Sequence, residues 1–296
     1  ANNLRSDSHH NESQPEPASH PDSRYNLRTW SSAGIEPDTM TAPPALPPQP
    51  ASTYDAAAAA KTDIAYTPYD SAIGTFPGNN DYSYRTILGE TADGRLVVQD
   101  YYQDSDTPQT APFTLKKDAN PRDFTTGAVD GKIVWYRKDG SISSVQTFAG
   151  GKAQSRMNIY LDGRLAAQMP RPETLDEPDD PYRAAGELAD GIRYYHDNGH
   201  LLYLYRRYAN ESSEVLYDRD GNPLAAWRER ADAPSAAWNI TDEHSEKRGA
   251  LDEAIRRRDH IQQMLEDEDD ASPDGRAQTG AEEEKPAAAS PAPSQP

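Results

Sequence analysis

Two histidines and one set of oxygen-bearing side chains have spacings that could serve metal chemistry. His196 and His200 are four residues apart, the spacing that places two zinc ligands on one face of a helix. The segment DRDGNPLAAWRE, residues 218–229, puts acidic or amide side chains at the first, third, fifth and twelfth positions of an EF-hand loop. Its sixth position is proline, where a calcium loop needs glycine for its sharp turn. Because both patterns fall in strand-and-turn sequence, we predict β-hairpins here, with no metal and no other cofactor.

The residue types and their order give little indication of catalytic chemistry. The chain has no cysteine, which excludes thiolate ligands, cysteine nucleophiles and disulfides. No local phrase combines a nucleophile, a base and an orienting carboxylate, and no glycine-rich phosphate loop is present. Residues 81–230 contain 24 acidic and 19 basic side chains, and the basic step Arg256, Arg257 and Arg258 is flanked by acids, which predicts a solvated face. The sequence therefore predicts a protein that is not an enzyme and does not bind nucleic acid.

Repeated turn signals indicate the elements that any site would be built on. In YHDNGHLLYLY, residues 195–205, Asn198-Gly199 stands between apolar runs and predicts a type I′ hairpin turn. Seven such steps occur in residues 81–230: Asp93-Gly94, Asp130-Gly131, Asp139-Gly140, Asp162-Gly163, Asp190-Gly191, Asn198-Gly199 and Asp220-Gly221.

The spacing of these glycines reveals an internal repeat. Gly131, Gly140 and Gly163 are separated by 9 and 23 residues, and a second glycine triplet 60 residues later is separated by 8 and 22. Single hairpins are unstable in water, so the units must pair sideways into one sheet. Alternation places Tyr203 and Tyr205 on one face and the intervening leucines on the other, so we expect a covering element on each face.

Composition divides the chain into four parts. Residues 1–80 carry 11 prolines and few large apolar side chains, which predicts a disordered leader. Residues 81–230 form the predicted β-hairpin repeat domain. Residues 231–268 are predicted as a helix with Leu251, Ile255, Ile261 and Leu265 on one side and Thr241 as its cap, either packed on the sheet or binding a partner. Residues 269–296 are predicted as a disordered acidic, proline-rich tail. The fold class is thus all-β, an antiparallel sheet of successive repeat hairpins with one C-terminal helix.

The phrases WYRKDGSI, residues 135–142, and YYHDNGHL, residues 194–201, resemble the MORN-variant repeats of bacterial proteins, some of which are grouped with antitoxins. The resemblance covers roughly residues 82–228. The segment YDRDGN, residues 217–222, resembles YD-type repeats as well. The MORN-variant resemblance implies an antiparallel sheet of hairpins that is used for binding rather than for catalysis.

Two functions follow as expectations. The first is a non-enzymatic protein-binding or scaffold module of the bacterial cell envelope, presented on its flexible leader. It would have no transmembrane segment, and it could resemble a lipoprotein with an acylated cysteine ahead of Ala1. The alternative is a cytoplasmic antitoxin or immunity protein that neutralises a basic toxin, which the net charge of −19 favours. The expected binding residues are aromatic: Tyr136, Tyr195, Tyr203, Tyr205 and Trp227.

Overall fold

A computed structural model describes residues 49–77, 82–171, 191–207, 211–230, 233–239 and 247–271. The predictions for residues 1–48 and 272–296 and for the Thr241 cap lie outside the described residues, as do residues 172–190.

Antiparallel pairing organises the described strands, and the all-β prediction is confirmed. They are β1 (Thr67–Pro77), β2 (Ser83–Glu90), β3 (Leu96–Tyr102), β4 (Phe113–Thr114), β5 (Gly131–Tyr136), β6 (Ile142–Ala149), β7 (Lys152–Ala153), β8 (Met157–Leu161), β9 (Arg164–Met169), β10 (Ile192–Tyr195), β11 (Leu201–Arg207), β12 (Glu211–Tyr217), β13 (Pro223–Arg230) and β14 (Ala233–Asn239). Strands β1 to β4 form one sheet in chain order. The others form a ten-stranded sheet in the order β14-β13-β12-β11-β10-β9-β8-β6-β5, with β7 beside β6.

Main-chain hydrogen bonds connect the two sheets. The stretch 109–116, which contains β4, runs beside β5. The Ala111 N–H donates to Val134 O at 3.0 Å, and the Tyr136 N–H donates to Gln109 O at 2.8 Å. The exposed edge that β5 would otherwise present is therefore paired.

Five of the seven predicted turn steps lie in hairpin turns. Asp130-Gly131 lies at the start of β5, and Gly191 immediately precedes β10. The type I′ prediction for Asn198-Gly199 was wrong, because only Gly199 takes a positive φ, +84°. The His196 N–H bonds His200 O and the Gly199 N–H bonds His196 O, which is a type I turn closed by a left-handed glycine. The same pair of bonds recurs at the Gly94, Gly140 and Gly221 turns. A one-residue register shift lies directly beside the Gly140, Gly199 and Gly221 turns, and it supplies the strand twist that a type I turn lacks.

The internal repeat is visible as two matching sets of strands. The β5–β6 and β8–β9 hairpins form the first copy, and β10–β11 and β12–β13 form the second. Because β9 pairs with β10, the two copies continue as one sheet.

The start of the folded part was predicted too late in the chain. Residues 51–53 form a 3-10 turn, Ala56–Ala59 form helix α1, and β1 begins at Thr67, all within the predicted leader. The Ala56 N–H bonds Gly163 O, and the Tyr54 and Tyr195 rings meet edge to face with centroids 6.2 Å apart. Burial of Ala56 and contact of Tyr54 against the sheet hold this segment, a tertiary contribution that composition does not reveal.

Helix α2 (Arg248–Ala271) packs on β11, β12 and β13, which answers the open question of where the C-terminal helix lies. Leu251 and Ile261 are buried as predicted, whereas Ile255 and Leu265 are partly exposed. The prediction of a solvated arginine step was wrong at Arg258, which is 1% exposed with its guanidinium carbon 5.8 Å from the Tyr203 ring centroid. The reason is that Arg258 lies seven residues after Leu251, on the same side of the helix. None of the described helices is long and apolar enough to cross a bilayer.

Candidate functional site

The ten-stranded sheet has two faces in its second repeat copy. The helix face carries Tyr194, Tyr203 and Leu216, which cross-strand pairing places side by side, and α2 covers it. The opposite face, called the arginine face here, carries Arg193, Leu204 and Val215. The segment 49–60 covers the arginine face at its end nearest the Gly163 and Gly199 turns.

The structure distributes the five predicted aromatic residues over both faces. Tyr203, Tyr205 and Trp227 belong to the helix face, while Tyr136 and Tyr195 belong to the opposite face. The side chains of Tyr203, Tyr195 and Trp227 are buried, at 0%, 1% and 8% exposure. Tyr136 and Tyr205 are partly exposed. The five side chains therefore do not form one continuous surface, and their role in binding stays a prediction.

The two metal-like patterns take structural roles in turns. His196 Nε2 lies 3.1 Å from Tyr217 O, to which it donates because a carbonyl oxygen only accepts. Asp218 Oδ1 accepts from the backbone N–H groups of Asp220 and Asn222 at 3.0 and 2.8 Å. The hairpin interpretation of DRDGNP is confirmed, since its Asp-Gly step joins β12 to β13. Within the described residues, no three histidine or acidic side chains are grouped as metal ligands.

A cluster of arginines lies on the arginine face, away from the covering segment. Arg193 pairs with Leu204 across β10 and β11, so Arg206 occupies the diagonal position on the same face. Arg156 precedes β8 and reaches across the sheet, where its Nη1 donates to Gly191 O at 2.6 Å. Arg156, Arg193 and Arg206, which we call the arginine cluster, thus come from three strands or their ends.

Gly191 lies at the centre of the arginine cluster. Extending the Ile192–Tyr205 pairing by one residue places Gly191 beside Arg206. A Cβ added at Gly191 would lie 3.1 Å from Arg206 Cγ and 2.2 Å from Tyr205 O. Glycine is therefore required at this position, because the Tyr205 carbonyl approaches too closely for any side chain.

Two donors of the cluster are buried without a partner. The Nε–H groups of Arg193 and Arg206 are inaccessible to solvent and make no hydrogen bond among the described residues. An unsatisfied buried donor costs on the order of 1–3 kcal/mol, and more when it is charged. The folded state therefore carries a free-energy cost at these two groups, which a hydrogen-bond acceptor placed beside them would remove.

A hydrogen-bonded row of side chains lies beside Arg193. The Tyr195 hydroxyl donates to Gln168 Oε1 at 2.6 Å, and Gln168 Nε2 donates to Asn158 Oδ1 at 2.7 Å. Gln168 pairs directly with Arg193 across β9 and β10. Because Tyr195 and Gln168 are buried, these hydrogen bonds hold the side chains beside Arg193 in one arrangement.

Other arginines lie near Arg156 among the described residues. Burial lowers the pKa of Arg156 to about 9, and the charges of Arg193, Arg171 and Arg206 act in the same direction. Burial also raises the pKa of Tyr195 to about 12, against the charges of Arg193 and Arg156. The Arg156 guanidinium is therefore charged at neutral pH, and the Tyr195 phenol keeps its proton.

The sequence alone does not reveal the arginine cluster, although it points to the tyrosines on the same strands. Arg193 and Arg206 are adjacent only through the β10–β11 register, and Arg156 joins them only through the pairing of the two repeat copies. The alternation of Arg193 with Tyr194 was a usable signal, because it placed the guanidinium on the face opposite that tyrosine.

Comparison with protein-family models found no match for this chain, and comparison with curated proteins found no match either.

Proposed function

We propose that this protein is a non-enzymatic binding module of the bacterial cell envelope, of the MORN-variant type, that holds an anionic group of a protein partner at the arginine cluster. The observation that supports it is the convergence of Arg156, Arg193 and Arg206 around Gly191, with the Nε–H groups of Arg193 and Arg206 unsatisfied. A chain of net charge −19 that concentrates cations at one place attracts acidic ligands locally.

The chemistry of the site favours binding over catalysis. A guanidinium keeps its charge through the neutral range, so it is a poor general acid or base. It offers instead a rigid fork of donors that matches carboxylate or phosphate oxygens. The hydrogen bonds of the Asn158–Gln168–Tyr195 row fix these side chains before any ligand binds. This reduces the entropy lost when a ligand binds.

The MORN-variant part of the proposal is supported by the turns. Phrases around Gly140 and Gly199 that resemble the family's repeat lie in hairpin turns with the same hydrogen bonds. Partly exposed Tyr136 and Tyr205 are proposed as secondary contact residues for the partner.

The binding site is tested by affinity capture from bacterial source cells followed by quantitative mass spectrometry. Three baits are compared: wild type, Arg193→Gln/Arg206→Gln, and the control Arg228→Gln. Arg228 is an exposed cation that already pairs with Glu211 at 3.3 Å. We expect one partner to be enriched by wild type and by the control but lost from the double variant, and its retention to weaken as salt rises. Equal capture by all three baits would remove the arginine cluster from the proposal.

The envelope assignment is tested by fractionating the source cells and measuring the intact mass of the native protein. A lipidated cysteine ahead of Ala1, in the membrane fraction, is the expected result. An unmodified N-terminus in the cytosol contradicts it.

A second function, an antitoxin or immunity protein that neutralises a basic toxin, is supported by the net charge of −19. Long-range attraction would then speed the association, and the association rate constant would fall with ionic strength. Co-expression with candidate basic toxins tests it, and failure to restore growth with any of them counts against this function.

A further inference from the structure

The outer face of the sheet formed by β1 to β4 carries an exposed row of tyrosine and proline side chains. Strand pairing places Pro77 beside Tyr84, Tyr84 beside Tyr101, and Tyr101 beside Pro108. The residues on either side of Tyr84 along β2 are buried, whereas Tyr84 is partly exposed, so the row faces away from the core. Tyr101 is also partly exposed, and both prolines are exposed. We call these four residues the tyrosine–proline row.

The two rings of this row stack on each other, which leaves one face of each ring uncovered by the other. Their centroids are 5.2 Å apart and their planes differ by 11°. The remaining face of Tyr84 is turned towards Pro77 and that of Tyr101 towards Pro108, because these are their neighbours in the pairing order. The face of an aromatic ring is negative and attracts cations. The row therefore offers two ring faces to a cation.

An acidic side chain without a cationic partner lies at one end of the Tyr84 ring. Asp106 Oδ1 accepts a hydrogen bond from the Tyr84 hydroxyl at 3.1 Å, and Asp106 is exposed. Among the described residues, Asp106 forms no salt bridge and no cation lies over the Tyr84 or Tyr101 ring. The carboxylate and the ring faces thus attract positive charge to the same place.

The chain itself holds a lysine in a matching arrangement at the ends of β2 and β3. Lys138 Nζ lies 5.3 Å from the Tyr82 ring centroid, 5.5 Å from the Tyr102 ring centroid and 2.5 Å from Asp104 Oδ2. The Tyr82 and Tyr102 rings meet edge to face, with centroids 5.5 Å apart. This tyrosine pair with its acid holds a cation, whereas the pair in the row with its acid holds none within the described part of the chain.

We propose that the tyrosine–proline row and Asp106 bind a cationic side chain, above all an arginine, on an exposed basic segment of a partner protein. A guanidinium can lie flat on a ring face and donate two hydrogen bonds to a carboxylate. The exposed prolines beside the rings add apolar contact for the aliphatic part of the same side chain. This surface is separate from the arginine cluster and goes beyond the function proposed above. A basic partner is also the kind that the second function requires.

Solution NMR of the full chain with isotope-labelled tyrosine rings, at constant ionic strength, tests this proposal. The probe is the blocked peptide acetyl-Gly-Arg-Gly-Arg-Gly-amide. The ring signals of Tyr84 and Tyr101, assigned with Tyr84→Leu and Tyr101→Leu, should shift saturably. Asp106→Asn should weaken binding about two- to fivefold, the range for one exposed cation contact. Asparagine tolerates the left-handed backbone at this position, where φ is 53°.

Two controls separate this site from general attraction to an acidic chain. A peptide with citrulline in place of arginine keeps the shape without the charge, and equal shifts of both rings with this peptide would overturn the proposal. Asp252→Asn removes an exposed acid on α2 and should leave binding unchanged. If it weakens binding as much as Asp106→Asn, the net charge of −19 is the cause and the proposal is wrong. Arg193→Gln/Arg206→Gln should bind the peptide as wild type does, so failure of the arginine cluster and failure of this surface are distinguishable.

Discussion

The buried ion pair of Arg85 and Asp100 shows how single charged residues contribute to this fold. Arg85 Nε and Nη2 donate to the two Asp100 oxygens at 2.6 and 2.8 Å, and Nη1 donates to Asp123 O at 2.7 Å. The guanidinium carbon lies 4.2 Å from the Phe124 ring centroid and 5.2 Å from that of Phe113. Every charge at this place is therefore compensated.

Replacing Asp100 by asparagine removes the compensating charge and leaves Arg85 buried. We expect a loss of about 3–5 kcal/mol in the free energy of unfolding, because an unpaired buried charge is costly. Urea denaturation followed by tryptophan fluorescence measures it. The control is Asp104→Asn, which removes a solvent-exposed pair with Lys138 and should leave the urea midpoint nearly unchanged. A similar shift in both variants would contradict the argument.

His196 is a buried histidine whose protonation opposes folding. Burial lowers the pKa of His196 below its usual value near 6.5; the Arg219 and Arg257 charges act in the same direction, whereas the bond to Tyr217 O and the Glu253 charge oppose it. The unfolded chain therefore takes up this proton more readily than the folded chain. The contribution of His196 to stability is present above pH 6.5 and is lost as the pH falls from there towards the folded pKa.

Glutamine at position 196 keeps a donor for Tyr217 O but does not titrate. The loss of stability between about pH 7 and pH 5 should be smaller in His196→Gln than in wild type. Denaturant midpoints at several pH values measure this loss. His200→Gln alters an exposed histidine and should retain the wild-type pH dependence. An equal change in both variants would show that the burial of His196 is not the cause.

At the scale of elements, α2 demonstrates what helical periodicity does and does not predict. The apolar spacing correctly identified a helix and two of its buried contacts, Leu251 and Ile261. It did not predict Ala254 and Arg258 as buried neighbours, although both lie on the Leu251 side of the helix, three and seven residues after it. The Arg258 guanidinium lies over the Tyr203 ring, and this cation–π contact offsets part of the cost of burying the charge.

Replacing each of the two isoleucines of α2 by alanine compares the same substitution at a buried and at a partly exposed position. Ile261→Ala should cost about 2–5 kcal/mol, since Ile261 is 1% exposed, whereas the partly exposed Ile255 should cost less than half as much on the same substitution. Thermal unfolding followed by circular dichroism measures both. Equal losses would indicate a different docking orientation of the helix.

The repeated turns offer a matched pair of glycines. Gly199 and Gly140 have nearly equal positive φ values, +84° and +82°. A Cβ at Gly140 meets nothing within 4 Å, whereas a Cβ at Gly199 would lie 3.1 Å from the Tyr54 ring. The two positions therefore share the backbone strain and differ in one tertiary contact.

Gly140→Ala should cost about 1–2 kcal/mol through its left-handed backbone, and Gly199→Ala should cost more because Tyr54 must move. In a Tyr54→Ala background the two losses should become equal, a double-mutant cycle that chemical denaturation can read. A difference that persists without Tyr54 would show that another neighbour causes it.

On the scale of the whole molecule, the sequence predicted the parts that depend on local geometry. Glycines at a fixed offset located the hairpins, because a left-handed backbone is required wherever the turn recurs. The arginine cluster and the docking of residues 49–60 were not predictable, since both depend on which strands become neighbours. Composition predicted residues 49–77 as leader for the same reason: the apolar surface that orders them belongs to distant strands.

Residues 49–60 are expected to stabilise the sheet as an integral part of it. A chain that begins at residue 61 should be less stable than one that begins at residue 49 by at least about 2 kcal/mol, from the lost burial of Ala56 and the contacts of Tyr54. Calorimetry of the two chains measures the difference. Identical transitions would show that the segment packs without contributing to stability.

The docking of this segment also determines where mechanical load enters the sheet. The Ala56 N–H bonds Gly163 O and the Leu165 N–H bonds Tyr54 O, at the start of β9 in the interior of the strand order. A pull on the chain before residue 49 would reach these bonds before it reached the edge strand β1. Tension along the N-terminal segment would thus be received by the central strands, and the edge would open only after this attachment had broken.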